Sequence, residues 1–190
     1  MKAKGIKAML TYQVTPEIAL AMPRPVKDAP ALFALIDQDR ETLGRYLPWV
    51  ATTHTVADET AFLRVVNQHL GQGTSLNLVV WLPQQPVGMI SCNRFDSANH
   101  STDIGYWLGA SFRGQGIMTQ AVRGMCDLAF RDYDLNKVII RAAVDNLASN
   151  AVARRAGFQP EGRLRQNERL ADGYHDDYQY GLLREEWRLG

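Results

Sequence analysis

The hydrophobic pattern changes from Ser75 onward, where three runs rich in apolar residues, SLNLVVWL (75–82), VGMISCNRF (87–95) and DIGYWLG (103–109), are separated by the turn PQQP and a polar stretch over 96–102. Three such runs joined by short turns predict an antiparallel meander. A period of 3.6 sets in after Gly116, where Ala121, Val122, Met125, Leu128 and Ala129 fall on one face of a helix. KVIIRAAV (137–144) reads as a buried strand. A short helix is predicted over 149–155 and ends at Gly157, and two tail strands over 163–170 and 175–183 are joined by the turn ADG. Nearer the start, residues 18–22 read as a short strand closed by Pro23 and Pro25. Asp28 is then placed as the N-cap of a helix with Pro30 early in it and Leu32, Phe33 and Ile36 facing inward. A second helix is predicted over 58–70, with Phe62, Val65, Val66 and His69 inward. The sum is a mixed α/β (α+β) domain with a largely antiparallel sheet.

Composition narrows the function. The 190 residues carry 46% apolar and 22% charged side chains, ordinary for one globular domain spanning 1–190. Twenty-one Lys and Arg against 20 Asp and Glu leave a net charge of +1, too little excess to release counterions from a polynucleotide, so no direct nucleic-acid partner is expected. No run approaches the roughly 18 apolar residues of a membrane span, and the start MKAKGIKAMLTYQVTPE lacks a sustained apolar segment. A cytoplasmic protein with no membrane partner is the expectation. Cys92 and Cys126 are far apart without a C-x-x-C pattern and read as two buried thiols; His54, His69, His100 and His175 have no ligand spacing, so no metal is expected.

The chemistry concentrates where a strand runs through a glycine turn into a helix, DIGYWLGASFRGQGIMTQAVRGM. Such a turn offers unpaired N–H groups at the positive end of the helix dipole, and glycine lets phosphate oxygens approach the backbone. It lacks the Gly-Lys-Ser/Thr of a Walker loop and the full G-x-G-x-x-G of a dinucleotide fold. From the turn alone, a phosphate cradle and a plain helix-starting turn both remain open.

Arg113-Gly114-Gln115-Gly116-Ile117-Met118 resembles the R/Q-x-x-G-x-G/A signature with which GNAT acetyltransferases hold the pyrophosphate of acetyl-CoA, with Met118 where Gly or Ala is usual. VDNLASNAVARRAGF, with Asn146, Ser149, Asn150 and Gly157-Phe158, is similar to the family's second signature. IGYWL, Glu161-Gly162, DGYHD and YLPWV at the end of the first helix extend the resemblance toward the bacterial Rim-type ribosomal-protein N-terminal acetyltransferases. It implies a GNAT fold: a mixed, mostly antiparallel sheet splayed at its middle strands and flanked by helices. The pantetheine of acetyl-CoA would lie between IGYWL and KVIIRAAV, with backbone groups of Trp107 and Leu108 facing the thioester.

Acetyl transfer to an amine needs a neutral amine, a stabilised oxyanion and a proton for the departing thiolate. The Rim-type resemblance implies Glu168 as base, against the plainer reading of an exposed strand glutamate. Many GNAT enzymes use a tyrosine seven residues after the motif asparagine as acid, but Ala153 stands there. The same branch implies Ser149 instead; the alternative is a helix cap. Asn146 and Asn150 either hydrogen-bond the pantetheine or order their loop. Tyr46, Trp49, Tyr174, Tyr178 and Tyr180 either wall an acceptor cleft or belong to the core. The acceptor implied is the N-terminus of a protein, with a ribosomal protein foremost. A small amine, such as an aminoacyl nucleotide or an antibiotic, is the second reading and a silent acetyl-CoA-binding module the third; the chain is expected as a monomer or homodimer.

Overall fold

The computed structural model describes residues 10–187. In chain order its elements are β1 (Thr11–Gln13), β2 (Ala19–Ala21), α1 (Pro25–Gln38), α2 (Arg40–Gly44), α3 (Val56–Gly71), β3 (Leu76–Leu82), β4 (Gln85–Asp96), β5 (Ser101–Leu108), α4 (Ile117–Arg131), β6 (Lys137–Ala143), α5 (Leu147–Ala156), β7 (Gln159–Leu170) and β8 (Gly173–Leu183). One eight-stranded sheet runs β1-β2-β3-β4-β5-β6-β8-β7. Only the β5–β6 join is parallel.

The near-continuous apolar run of β3 is explained by burial on both faces of the sheet. Leu76, Leu78 and Val80 join the core under α4 and α5, with Met125, Phe130 and Ala153, while Val79 and Trp81 join the core under α1 and α3, with Leu32, Ile36 and Leu63. Cys92 and Cys126 are both buried and unbridged.

The meander, α4, α5 and the two tail strands lie where the periodicity puts them, but the first two helices depart from it. α1 starts at Pro25, not at an Asp28 cap, because proline's fixed φ suits the first helical position. Asp28 lies inside the first turn, 1% exposed, where its carboxylate accepts from the Arg24 N–H at 2.8 Å and from the Arg24 guanidinium at 2.7 Å. Phe33 is only half-buried, and Asp28, Ala29, Leu32 and Ile36 form the inward face. The helix also ends at Gln38, and YLPWV falls in the loop and the 3-10 turn Pro48–Thr52 beyond it. α3 begins at Val56 because Thr55 caps it: Thr55 Oγ1 accepts from the Asp58 N–H at 3.2 Å and Asp58 accepts from the Thr55 N–H at 2.9 Å. Its inward face is Glu59, Leu63 and Val66; Phe62, Val65 and His69 point outward.

β5 pairs with β6 only over Ser101–Asp103 against Lys137–Ile139, after which the strands part. On its other side β5 stays paired to β4, with Gly88 opposite Leu108. A Cβ at Gly88 would overlap the Trp107 carbonyl oxygen and lie 2.9 Å from Leu108 Cα, both backbone atoms. Gly88→Ala is therefore expected to destabilise by about 1–3 kcal/mol through overpacking. For a domain of this size that lowers Tm by about 2–12 °C, measurable by calorimetry.

Candidate active site

The open seam between β5 and β6 is the entrance to a cleft of about 1050 Å³. Its walls are built from the ends of β5, β6, β7 and β8, the glycine turn, the first turn of α5 and the α2–α3 region. Trp107 and Leu108 lie on the stretch of β5 beyond its last β6 partner. The Leu108 carbonyl accepts from the Arg113 guanidinium at 3.1 and 3.0 Å, and that guanidinium also pairs with Asp39. Arg113 thus pins the strand end to the start of α2 and offers the turn only its backbone.

Gly114 and Gly116 have φ of 75° and 78°, left-handed values that a side chain resists, and an added Cβ would meet nothing within 4 Å at either. Gly116 is the N-cap of the 15-residue α4. Its first N–H groups therefore open onto the cleft with the positive end of the helix dipole behind them. Gln115 folds back to donate to the Ser111 carbonyl at 2.9 Å. Ile117 and Met118 are both 5% exposed and pack in the core, so they present only main-chain groups. The departure from Gly or Ala at Met118 therefore leaves the floor of the turn open.

α5 is capped by Asn146, whose side chain accepts from the Ser149 N–H at 3.1 Å. The cap is thus Asn146, and the Ser149 hydroxyl is left for other work. It lies 2.9 Å from the Tyr106 hydroxyl of β5, which also donates to the Ser149 carbonyl at 3.2 Å. Burial pushes the Tyr106 phenol up to about 12, so it stays protonated at neutral pH. Asn150 is buried, donates to the carbonyls of Ala143 at 2.9 Å and Asn146 at 2.8 Å, and accepts from Tyr180 at 2.9 Å. Both asparagines thus order the β6–α5 connection and the first turn of α5. Ala153 is wholly buried.

Glu168 sits on β7 opposite His175 of β8, next to a register shift between Leu164 and Glu168. The irregular stretch is held by Asp176, which accepts from the Gln166 N–H at 2.8 Å while Gln166 takes a left-handed φ of 49°. Such bulges re-aim side chains beside functional sites. Glu168 is half-buried and lines the cleft; burial first, then the charge of Asp177, pushes its carboxyl above the ordinary glutamate value, with His175 opposing. Asn167 and Asp177 lie beside it in the wall.

Across the cleft stand Tyr46, Trp49, Phe62 and Glu59. Trp49 packs at 6.1 Å between ring centroids on Trp107, and Phe62 is 45% exposed. Tyr180 belongs to the core, Tyr178 packs against it, and Tyr174 is exposed. Glu59 is 2% exposed with Oε1 unpartnered, and burial pushes its carboxyl up to about 7. Tyr106, Glu59 and Asp177 are the site groups that sequence reading missed. Among the described residues no cluster of three metal-ligating side chains occurs, and no helix is long and apolar enough to cross a membrane.

The sequence pattern of the acetyltransferase (GNAT) domain matches residues 20–159. YdaF of Bacillus subtilis is 36% identical over 182 residues, 94% of this chain and 98% of that protein. The ribosomal-protein-serine acetyltransferase of Escherichia coli is 32% identical over 152 residues, 80% of this chain and 85% of its own. Among solved structures, a microcin self-immunity acetyltransferase in complex with acetyl-CoA and AMP superposes with a TM-score of 0.85 at 32% identity, covering 90% of this chain and 94% of that one. RimL, a ribosomal α-N-protein acetyltransferase in complex with coenzyme A, gives 0.88 at 29% identity, covering 93% and 99%.

Proposed function

Because the chain belongs to the GNAT acetyltransferase family, we propose that it transfers the acetyl group of acetyl-CoA to the N-terminal amine of a protein, a ribosomal protein foremost, in the cytoplasm. The observation that carries this reading is the single cleft that runs from the glycine turn through the β5–β6 seam to Glu168. Gly114, Gly116 and the first N–H groups of α4 fit a pyrophosphate, since an added Cβ at either glycine would stand in open space at the mouth of the cradle. When bound, acetyl-CoA supplies the thioester carbonyl and a thiolate leaving group.

The chain's own residues divide the proton work. Glu168 takes a proton from the attacking amine, directly or through one water, and its raised proton affinity suits a base working near neutral pH. Ser149 gives its hydroxyl proton to the thiolate, a reading supported by Asn146 filling the cap position. The α-amine, with a pKa near 8, arrives mainly protonated at pH 7, so a base is needed.

Glu168→Gln keeps the shape of the side chain and removes its basicity. We expect kcat/KM at pH 7 to fall by about tenfold or more, with the loss shrinking as pH passes the amine's own pKa near 8. In the parent enzyme the acid limb of the profile lies above an ordinary glutamate's, because activity requires the ionised form of a carboxyl whose pKa is raised. A peptide with a blocked N-terminus and a lysine would move the rescue about two pH units higher. A defect constant from pH 7 to about 9.5 and confined to KM would make Glu168 a substrate-positioning group.

A small amine is the second reading, and the exposed aromatic faces of Trp49 and Phe62 at the cleft favour it, since they offer stacking to a planar group. A mass-spectrometric screen of peptides and small amines with acetyl-CoA separates the two.

A further inference from the structure

Asp177 lies on β8 opposite Ala143, the last residue of β6, where the seam is open. It is 2% exposed. Its Oδ2 accepts from the Asn167 side-chain amide at 2.6 Å, which fixes the carboxylate's rotamer, while Oδ1 is buried with no hydrogen-bond partner. The residue nevertheless lines the cleft. A buried carboxylate oxygen left without a donor is costly, and folded proteins rarely leave one so. An ionised carboxylate is an acceptor only, so what completes it must be a donor entering through the cleft.

We infer that Asp177 is the carboxylate that binds the ammonium group of the acceptor and holds it beside Glu168. The inference rests on the reading of Glu168 as base. A primary ammonium carries three N–H donors and a positive charge, and it is the form in which the acceptor arrives at neutral pH. One N–H meets Asp177 Oδ1, and another is left for Glu168 to strip.

The surrounding charges fit this order of events. On β8, His175 faces Glu168 and also contacts Asp172 at 2.8 Å, while Asp176 is paired with Arg163 of β7. On β6, Arg141 lines the cleft and donates to Gln179 at 2.9 Å. Glu59 of α3 faces the site across the cleft, and Asp145 pairs with Arg45 on the opposite lip. Asp177 brings negative charge to the floor, whereas Glu59, pushed up to about 7 by burial, is only partly ionised at neutral pH. The charge of Asp177 also helps hold the Glu168 carboxyl above its ordinary value, which makes Glu168 the readier proton acceptor.

The test uses the full chain, a short peptide with a free N-terminus, its N-acetylated twin, and hydroxylamine as a nucleophile that is neutral at pH 7. Calorimetric titration in the presence of coenzyme A should show the parent protein preferring the free peptide over its twin by about tenfold or more. Asp177→Asn should erase that preference without weakening acetyl-CoA binding. With hydroxylamine, which brings no ammonium to bind, Asp177→Asn should lose severalfold less of its kcat/KM than with the free peptide. A merely structural aspartate would cost both acceptors alike. Preference for the free peptide persisting in Asp177→Asn, or equal losses with the two acceptors, overturns the inference. Binding is read without turnover, so a Glu168→Gln enzyme with full activity would remove the base reading while the preference still reports on Asp177. If Asp177→Asn fails to fold, Asn167→Leu, at an exposed position, carries the test: it frees the Asp177 rotamer and should cut the preference severalfold, and an unchanged preference there overturns the inference equally.

Discussion

Ser149→Ala is expected to lower kcat by about 10² to 10⁴, the span usual for a lost general acid, while acetyl-CoA affinity and Tm stay close to the parent values. The separation of these quantities follows from the start of α5. Had Ser149 been the cap, its loss would cost about 1 kcal/mol of stability. Asn146 fills that position, and its side chain bonds a main-chain N–H that alanine retains. What the substitution removes is the hydroxyl 2.9 Å from Tyr106. Stopped-flow detection of released coenzyme A, beside thermal denaturation, measures both. A kcat near the parent value would return the serine to a packing role.

Gly116→Asp is the second large effect, on the cofactor. At φ 78° an aspartate tolerates the backbone better than most residues, so the folded protein should persist with a modest loss of Tm. Its carboxylate would stand at the N-terminus of α4, where the pyrophosphate of acetyl-CoA is proposed to lie. Charge-assisted bonds to an anion are worth about 1.5–3 kcal/mol each, so losing even two weakens binding by about a hundredfold or more. Gly116→Asn has nearly the same size and backbone tolerance without the charge, and it should lose much less. Calorimetric titration of both variants isolates the electrostatic part. Equal and small losses would remove the pyrophosphate from this turn.

The fold was largely legible because its signals are local. β3, β4 and β5 are short apolar-rich runs bounded by turns, α4 repeats every 3.6 residues, and Gly157 at φ 101° ends α5 as a glycine in that place should. The glycine turn and the asparagine–serine motif were legible because each is a contiguous string. What escaped reading is what violates the pattern for the sake of the site. Phe62 was placed inward because it is apolar, yet it faces the cleft; Glu59 was passed over because it is charged, yet it is buried. The bulge before Glu168 places Gln166 in a left-handed conformation with no glycine or asparagine to announce it. Tyr106 and Ser149 are 43 residues apart, and no local pattern links them.

The short parallel join between β5 and β6 divides the sheet into two leaves of unequal duties. The glycine turn, α4 and the β5 edge belong to one leaf. The other carries β6, α5, β8 and β7, and its parts are cross-tied by Asn150, which bonds β6 through Ala143 and β8 through Tyr180. Ser149 and Glu168 ride together on that second leaf. A substitution that disturbs this leaf, at Asn150 or Tyr180, therefore displaces the proposed proton donor and the proposed proton acceptor together.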